Sequence, residues 1–368
     1  MKVMYLLEYP IDLPGGAQMS TDSLCQGLLA SEFEPMVVCP TLMSKNQKDY
    51  DFRIITYPMG EKRIPNLLKR IHWFYKIIKK EKPEIIHIQM PESLITYGLL
   101  RGFGFSRKSQ LVFTDRGLYY GYRKHSMILM KHALKYSNRF LCTTNFNQKM
   151  WKQATGFTNL SLVANTISNS FGDYREKKRI HDGFVIGFAG RVCEEKNWPL
   201  VNRLCRELKD AGVKFRVSIV MSVFEENDRI VVNQVKSQLI EDMGEANVEI
   251  HLDYSQKQMA EYYYGVDVFV MTSRFESFGK AAVEAMSRKC TVISTNVGGL
   301  PEVIGKEENL YSEENLEKAV TYIKELSLNQ SKLKSDQEFF YRRYKEEYSQ
   351  EKCLKDHLEI YREIVAKK

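Results

Sequence analysis

Short apolar runs closed by polar or turn-forming residues alternate along this chain with longer stretches in which apolar residues return at helical spacing. The runs predict buried strands at Lys2–Leu7, Met36–Cys39, Phe52–Tyr57, Pro83–Gln89, Gln110–Thr114, Arg139–Thr143 and Leu160–Ala164. A second series follows at Phe184–Phe188, Phe215–Met221, Val248–Leu252, Val266–Met271 and Thr291–Ser294. The periodic stretches predict helices at Ala17–Ser31, Arg63–Lys82, Ile128–Tyr136, Trp198–Ala211, Ser255–Tyr264, Leu316–Leu326 and Asp336–Val365, with Ser255 as a cap. Strands alternating with helices describe an α/β chain. The polar, glycine-containing stretch Ser168–Gly183 separates the two series as a linker. The expected division is therefore 1–167, a linker at 168–183, a second domain at 184–345 and a terminal segment at 346–368.

Composition narrows the class. A 368-residue chain with 43% hydrophobic and 27% charged residues has the length and character of two soluble globular domains. Seven cysteines without a C-x-x-C argue against a disulfide framework and suit a reducing cytoplasm. The first residues, MKVMYLLEYP, break their apolar run at Glu8 and Pro10 and do not read as a signal peptide, and no uncharged stretch reaches the length of a membrane span. A net charge of +8 asks for anionic partners. With no RNP-like, zinc-finger or helix-turn-helix pattern, nucleic acid is not expected, and nucleotide phosphates and anionic lipid are the simpler targets. The basic amphipathic helix Arg63–Lys82 carries Leu67, Leu68, Ile71, Phe74, Tyr75 and Ile78 on an apolar stripe and Lys69, Arg70, Lys76, Lys79, Lys80 and Lys82 around it. A crossover helix packed on a sheet explains the stripe, and an anionic membrane surface would use the lysines.

The chemistry concentrates in Val266–Pro301, where strand, glycine-containing turn, helix and strand make a βαβ unit. Ser277 stands where an N-cap would, Gly279 lets the backbone turn tightly, and Ala281, Ala282, Val283, Ala285 and Met286 offer a small-residue packing face. The open amides around Phe278, Gly279 and Lys280 suit an anion. Glu276 and Glu284 flank this turn. Were all eight steps helical they would lie about 12 Å apart, beyond the roughly 5 to 9.5 Å of a glycosidase pair. They read as two contacts to one long ligand, or as a loop charge and a solvated helix residue. Arg191 and Lys196, five apart on a strand-to-helix turn, can both reach one pyrophosphate or can pair with Glu194 and Glu195. Gly15-Gly16 between strand and helix permits close backbone approach to a ligand or makes an ordinary turn. Asp115 and Arg116 stand at the C-terminal end of a strand, where α/β sheets bind ligands. Arg116 is too basic to act as a base at neutral pH, so its role there is electrostatic. Asp115 can orient a sugar hydroxyl or pair with Arg116. The cluster Tyr119, Tyr120, Tyr122, Arg123, Lys124 and His125 suits sugar stacking or forms a surface loop, and His87 reads as a packed core residue.

The stretch SRFESFGKAAVEAM, followed by TNVGGLPEVI, resembles the nucleotide-sugar signature of family-four retaining glycosyltransferases, whose GT-B architecture sets two Rossmann-like domains facing a cleft. GGAQ is similar to that family's GGA-x loop, GRVCEEKNW to its phosphate-clamping G-R-x4-K element, and YSQEKCLKDHLEIYREIV to the closing helix that returns to the first domain. The resemblance implies that Glu276 faces the donor sugar, Glu284 holds the ribose hydroxyls, Arg191 and Lys196 clamp the diphosphate, and Gly15, Gly16, Ser277, Phe278, Gly279 and Lys280 line the donor. Departures from it are Thr272 in place of a proline, Arg288-Lys289-Cys290 in place of a glycine-valine-proline turn, Gln89 in place of a histidine, and Arg116 where many members carry a histidine near the reacting sugar.

The resemblance implies a metal-independent hexosyltransferase without cofactor that moves sugar from a nucleotide diphosphate, UDP favoured, to a glycan or lipid-linked acceptor on the cytoplasmic face of the membrane, with retention. On that resemblance Arg191, Lys196 and the helix start would stabilise the departing diphosphate, and Asp115, Arg116 and Glu276 would stand near the reacting groups. The alternatives are a catalytically silent GT-B subunit of a glycosylation complex, invited by Asp115-Arg116, and a nucleotide-sugar epimerase.

Overall fold

The computed structural model of the chain describes residues 1–13, 15–45, 49–60, 63–106, 108–117, 119–176 and 183–367, apart from the side chains of 63–65. Residues 177–182 of the expected linker, and the side chains of Arg63, Ile64 and Pro65 at the start of the expected basic helix, lie outside the described residues. The chain divides into two compact units, one made of Met1–Asn165 with Gln350–Lys368 and the other of Thr166–Ser349.

In the first unit, the strands are β1 (Lys2–Leu6), β2 (Glu34–Pro40), β3 (Arg53–Tyr57), β4 (Ile85–Ile88), β5 (Gln110–Asp115), β6 (Arg139–Cys142) and β7 (Leu160–Leu162). The helices between them are α1 (Gly16–Leu28), α2 (Arg63–Glu81), α3 (Pro91–Gly102), α4 (Lys124–Leu134) and α5 (Asn145–Thr155). The seven strands form one sheet in the order β3-β2-β1-β4-β5-β6-β7, and every pairing is parallel. Parallel strands covered on both faces read as unbroken apolar runs. Thus Val3 and Tyr5 of β1 join the core on one face while Met4 and Leu6 join the core on the other.

The second unit repeats the plan with β8 (Val185–Arg191), α6 (Trp198–Asp210), β9 (Arg216–Ser222), α7 (Asp228–Met243), β10 (Val248–Leu252), α8 (Gln256–Tyr264), β11 (Val268–Met271), α9 (Lys280–Met286), β12 (Thr291–Thr295), α10 (Leu300–Ile304), β13 (Leu310–Tyr311), α11 (Leu316–Leu328) and α12 (Gln330–Arg343). Its six parallel strands run β10-β9-β8-β11-β12-β13. Chain order therefore reverses between β8 and β11, the point at which doubly wound sheets open a crevice outside the carboxyl ends of their strands. Ser255 caps α8 in a full capping box with Gln258, as its place in the sequence predicts.

The last helix, α13 (Gln350–Ala366), belongs to the first unit and lies beside α1. It is bolted to the sheet by a buried polar chain. The Tyr361 hydroxyl lies 2.7 Å from that of Tyr5 and 2.6 Å from His87 Nδ1, and His87 Nε2 meets Thr114 Oγ1 at 2.7 Å. His87 is wholly buried, a packed core residue held from both ring nitrogens.

The structure corrects the expected elements in three places. Helices α3, α5, α7 and α10 and the two-residue strand β13 are not among the predicted elements, and of these helices α7 carries no strong apolar period. The stretch predicted as one helix from Asp336 to Val365 is broken by a π-helical turn at Tyr344–Tyr348 and by Ser349, which leaves the helix with extended backbone. The helix of the central βαβ unit begins at Lys280, with Gly279 rather than Ser277 at its N-cap, because Gly279 takes φ +88° there and no side chain caps the end.

Candidate functional site

The reversal between β8 and β11 sets two turns side by side in the second unit. One leaves β8 and carries Arg191 to Asn197; the other leaves β11 and carries Thr272 to Gly279. They are stitched together through the main chain, since the Arg274 amide donates to Glu195 O (2.8 Å) and the Thr272 hydroxyl donates to Lys196 O (2.7 Å). Asn197, buried and in the left-handed region at φ 51°, turns the first segment into α6.

Across this seam the Lys196 ammonium donates to Glu276 Oε2 at 2.7 Å. The two side chains keep only 19% and 17% of their exposure, so the pair is largely screened from water. The stem of Lys196 lies over Gly190, its Cδ 3.2 Å from where a β-carbon on that glycine would stand. Sequence reading left Lys196 free to pair with Glu194 or Glu195; its partner is instead eighty residues away. Arg191, the exposed last residue of β8, and Lys196 both help to hold the Glu195 carboxyl below its usual range, after its own backbone amide and the Cys193 thiol.

Glu276 is seated from behind by a residue that the pattern did not single out. Gly298 has φ +58°, and a β-carbon there would stand 2.0 Å from the Glu276 carbonyl oxygen. The next amide, of Gly299, donates to that same oxygen at 3.0 Å. Only glycine allows this approach. The GG pair of TNVGGLP is the signal that could have located it.

Glu284, on the second turn of α9, is buried rather than solvated. Its carboxylate accepts from the Tyr263 hydroxyl at 3.2 Å and lies 3.8 Å from the Lys280 ammonium. Burial pushes its carboxyl above the usual carboxylate range, and Lys280, Tyr263 and Lys196 pull against that shift. Phe278 is also buried, its ring edge-on to Tyr348 at 5.6 Å, so this residue can offer a ligand only its backbone. Ser277 is half-buried in the turn between β11 and α9. The second unit thus brings together Arg191, Lys196, Glu276, Ser277, Phe278, Gly279, Lys280 and Glu284.

The remaining candidates lie in the first unit. Gly15 precedes α1 in extended backbone and Gly16 opens the helix, with no atom within 4 Å of a β-carbon added there. Asp115 is fully buried, and its carboxylate accepts from the Tyr122 hydroxyl (2.5 Å), Trp151 Nε1 (2.6 Å), Asn147 Nδ2 (2.9 Å) and the Gly117 amide (3.1 Å). These bonds occupy both carboxylate oxygens and tie down the loop after β5, so the geometry gives Asp115 a structural task in place of the two readings left open for it. Arg116 turns away and donates from Nε to Gln89 Oε1 (2.7 Å). Of the aromatic and basic cluster, Tyr122 is committed to Asp115, Tyr119 packs edge-on against Trp151, and Lys124 and His125 begin α4 rather than a loop. In α2, Phe74, Ile77 and Ile78 are buried, but Leu68 (64%) and Tyr75 (41%), expected on the buried stripe, are exposed among the lysines. Among the described residues no helix is long and apolar enough to cross a membrane, and no group of three metal-ligating side chains is found.

Comparison with known proteins follows the same division. The family model described as Glycosyltransferase Family 4 matches residues 14–170, and that described as Glycosyl transferases group 1 matches residues 170–345. A "Probable sucrose-phosphate synthase" of Thermosipho melanesiensis is 36% identical over 130 residues, which are 33% of this chain and 29% of that protein. The "Capsular polysaccharide biosynthesis glycosyltransferase CapM" of Staphylococcus aureus is 22% identical over 298 residues, 74% of this chain and 73% of that one. Among solved structures, Anabaena HepE in complex with UDP-glucose superposes with a TM-score of 0.79 at 13% identity, covering 99% of this chain and 100% of that one. Two adjoining glycosyltransferase family matches on a pair of doubly wound units, with neighbours of the same architecture, support a GT-B glycosyltransferase.

Proposed function

We propose that the chain transfers a hexosyl group from a nucleotide diphosphate sugar, UDP favoured, to a hydroxyl of a glycan or lipid-linked acceptor, with retention of configuration and without a metal. The observation that carries this reading is the Lys196–Glu276 pair at the reversal of the second sheet, flanked by Arg191 and Glu284. As the bond between sugar and phosphate breaks, negative charge grows on the diphosphate. Arg191 and Lys196 each supply a charge-assisted bond of roughly 1.5–3 kcal/mol to it. With only seven residues, α9 adds little dipole of its own, so the two cations carry most of the load. The leaving oxygen can take the acceptor proton, and then no protein base is needed. The HepE complex with UDP-glucose supports a uridine donor, and CapM, by its name a capsule enzyme, supports a cell-surface glycan as product.

A cytoplasmic protein that touches the inner face of the plasma membrane through α2 fits this acceptor. Exposed Leu68 and Tyr75 beside Lys69, Lys76 and Lys79 favour that surface, each lysine adding about 1 kcal/mol near anionic lipid. Arg191→Ala or Lys196→Ala should lower donor turnover by about 10²–10³-fold, Arg191→Ala unfolding as wild type does and Lys196→Ala staying folded but less stable, because it leaves the Glu276 carboxylate without its partner. Retained turnover in both variants would reject the clamp, and a wild-type chain that binds donor yet never turns it over would favour the silent-subunit reading.

A further inference from the structure

We infer that Glu276 makes the donor site discriminate between an intact nucleotide sugar and the nucleoside diphosphate left after transfer, by competing with phosphate for Lys196. This rests on the donor reading above and extends it to product release. The Lys196 ammonium is satisfied by Glu276 Oε2 at 2.7 Å, in a setting where each side chain is about four-fifths buried. The contact is built in from both sides. Thr272 and the floor over Gly190 hold Lys196, while Gly298 and the Gly299 amide hold the backbone of Glu276. These contacts hold the two turns side by side at the pair.

A diphosphate that approaches Lys196 must therefore take the ammonium from a carboxylate, and it brings like charge beside that carboxylate. An intact donor removes the conflict, because its sugar hydroxyls give Glu276 new hydrogen-bond donors as it releases Lys196. A nucleoside diphosphate offers Glu276 nothing in exchange. Either the carboxylate keeps Lys196 and denies it to phosphate, or it stays buried and unpaired, which is costly. Once the sugar–phosphate bond has broken, its electron pair stays on the diphosphate and the sugar leaves with the acceptor oxygen. Glu276 then loses its hydroxyl partners, returns to Lys196 and loosens the product. The other nearby cation, Lys280, lies 3.8 Å from Glu284.

Calorimetry on the full chain tests this with UDP, inorganic pyrophosphate and UDP-glucose as probes. Glu276→Gln keeps the shape and removes the charge, so UDP and pyrophosphate should bind about tenfold more tightly, equivalent to roughly 1.4 kcal/mol, while UDP-glucose gains nothing. In a Lys196→Gln background the same change should tighten UDP binding clearly less, because no pair remains to break and only the repulsion between carboxylate and phosphate is relieved. Glu276→Asp, whose shorter side chain withdraws the carboxylate from Lys196, should shift UDP in the same direction and serves if the glutamine variant unfolds. Equal changes for UDP and UDP-glucose, weaker UDP binding, or undiminished tightening without Lys196 would overturn the inference. A wild-type chain that binds neither UDP nor pyrophosphate would instead remove the donor site, and the inference with it.

Discussion

Replacing Gly298 by alanine tests whether the second unit is organised around the position of Glu276. The added methyl would stand 2.0 Å from the Glu276 carbonyl oxygen, where ordinary contact begins at 3.4 Å, so the two segments must part by more than an ångström. The oxygen belongs to backbone and cannot swing aside as a side-chain tip would. A non-glycine residue at φ +58° adds about 1–2 kcal/mol of local strain, and a weakened Gly299-to-Glu276 bond adds about 1 kcal/mol. The expected loss is about 2–4 kcal/mol of stability in the second unit. Function should suffer more, because an ångström of misplacement can cost about 10²-fold in rate, and the same shift pulls the Glu276 carboxylate from Lys196. Urea unfolding gives the first quantity, and donor turnover measured well below the unfolding transition gives the second. A Gly298→Ala variant within about 0.5 kcal/mol of wild type, the range of ordinary surface substitutions, with normal turnover would refute the reasoning.

Gly16→Ala is the complementary case, since the space around Gly16 is open and its φ is not positive. Stability should hold, or rise by up to about 1 kcal/mol from the stiffer unfolded chain, so a loss of turnover would report a ligand passing close to that backbone, and full turnover would remove Gly15-Gly16 from the site. Glu8, two residues beyond β1, accepts from the Glu92 and Ser93 amides at the start of α3, and burial pushes its carboxyl up to about 7, with Glu92 adding to the rise and the two amides and Arg70 opposing it. Its folded value lies above the unfolded one near 4.5, so its contribution is intact below pH 4.5 and is lost as pH rises through 7. Glu8→Gln should therefore match wild type near pH 4 and exceed it at pH 8 by up to about 3 kcal/mol in urea melts; an advantage confined to acid would contradict this.

Strands were legible because a parallel strand covered on both faces must be apolar throughout. Helices α3 and α5 were not, for the opposite reason. The inward face of α3 mixes Leu94, Tyr97 and Leu100 with Ser93, Thr96 and Gly98, and that of α5 is carried by Asn147 and Trp151, so polar and small residues dilute the apolar signal in both. In α2 the pattern counted Leu68 and Tyr75 as core although they face outward, because apolar identity does not reveal which side of a helix meets the sheet. For the candidate site residues of the second unit spacing alone left two readings open, and only the resemblance of SRFESFGKAAVEAM and GRVCEEKNW to a known signature singled them out. Their pairing was not legible, since Lys196 meets Glu276 only through the adjacency of β8 and β11, a fact of strand order. No local pattern reveals the hydrogen bonds of Asp115, because its four donors come from residues up to 36 positions downstream.

The first unit is not contiguous in the chain: its last helix is made only after all of Thr166–Ser349. During synthesis Tyr5 and His87 must wait for Tyr361, so a nascent N-terminal half carries exposed apolar surface and orphaned polar groups until the chain through Tyr361 has emerged. A fragment cut at residue 165 inherits that defect permanently. Maturation of the N-terminal half is thus tethered to completion of the C-terminal one, an order of assembly opposite to the order of translation.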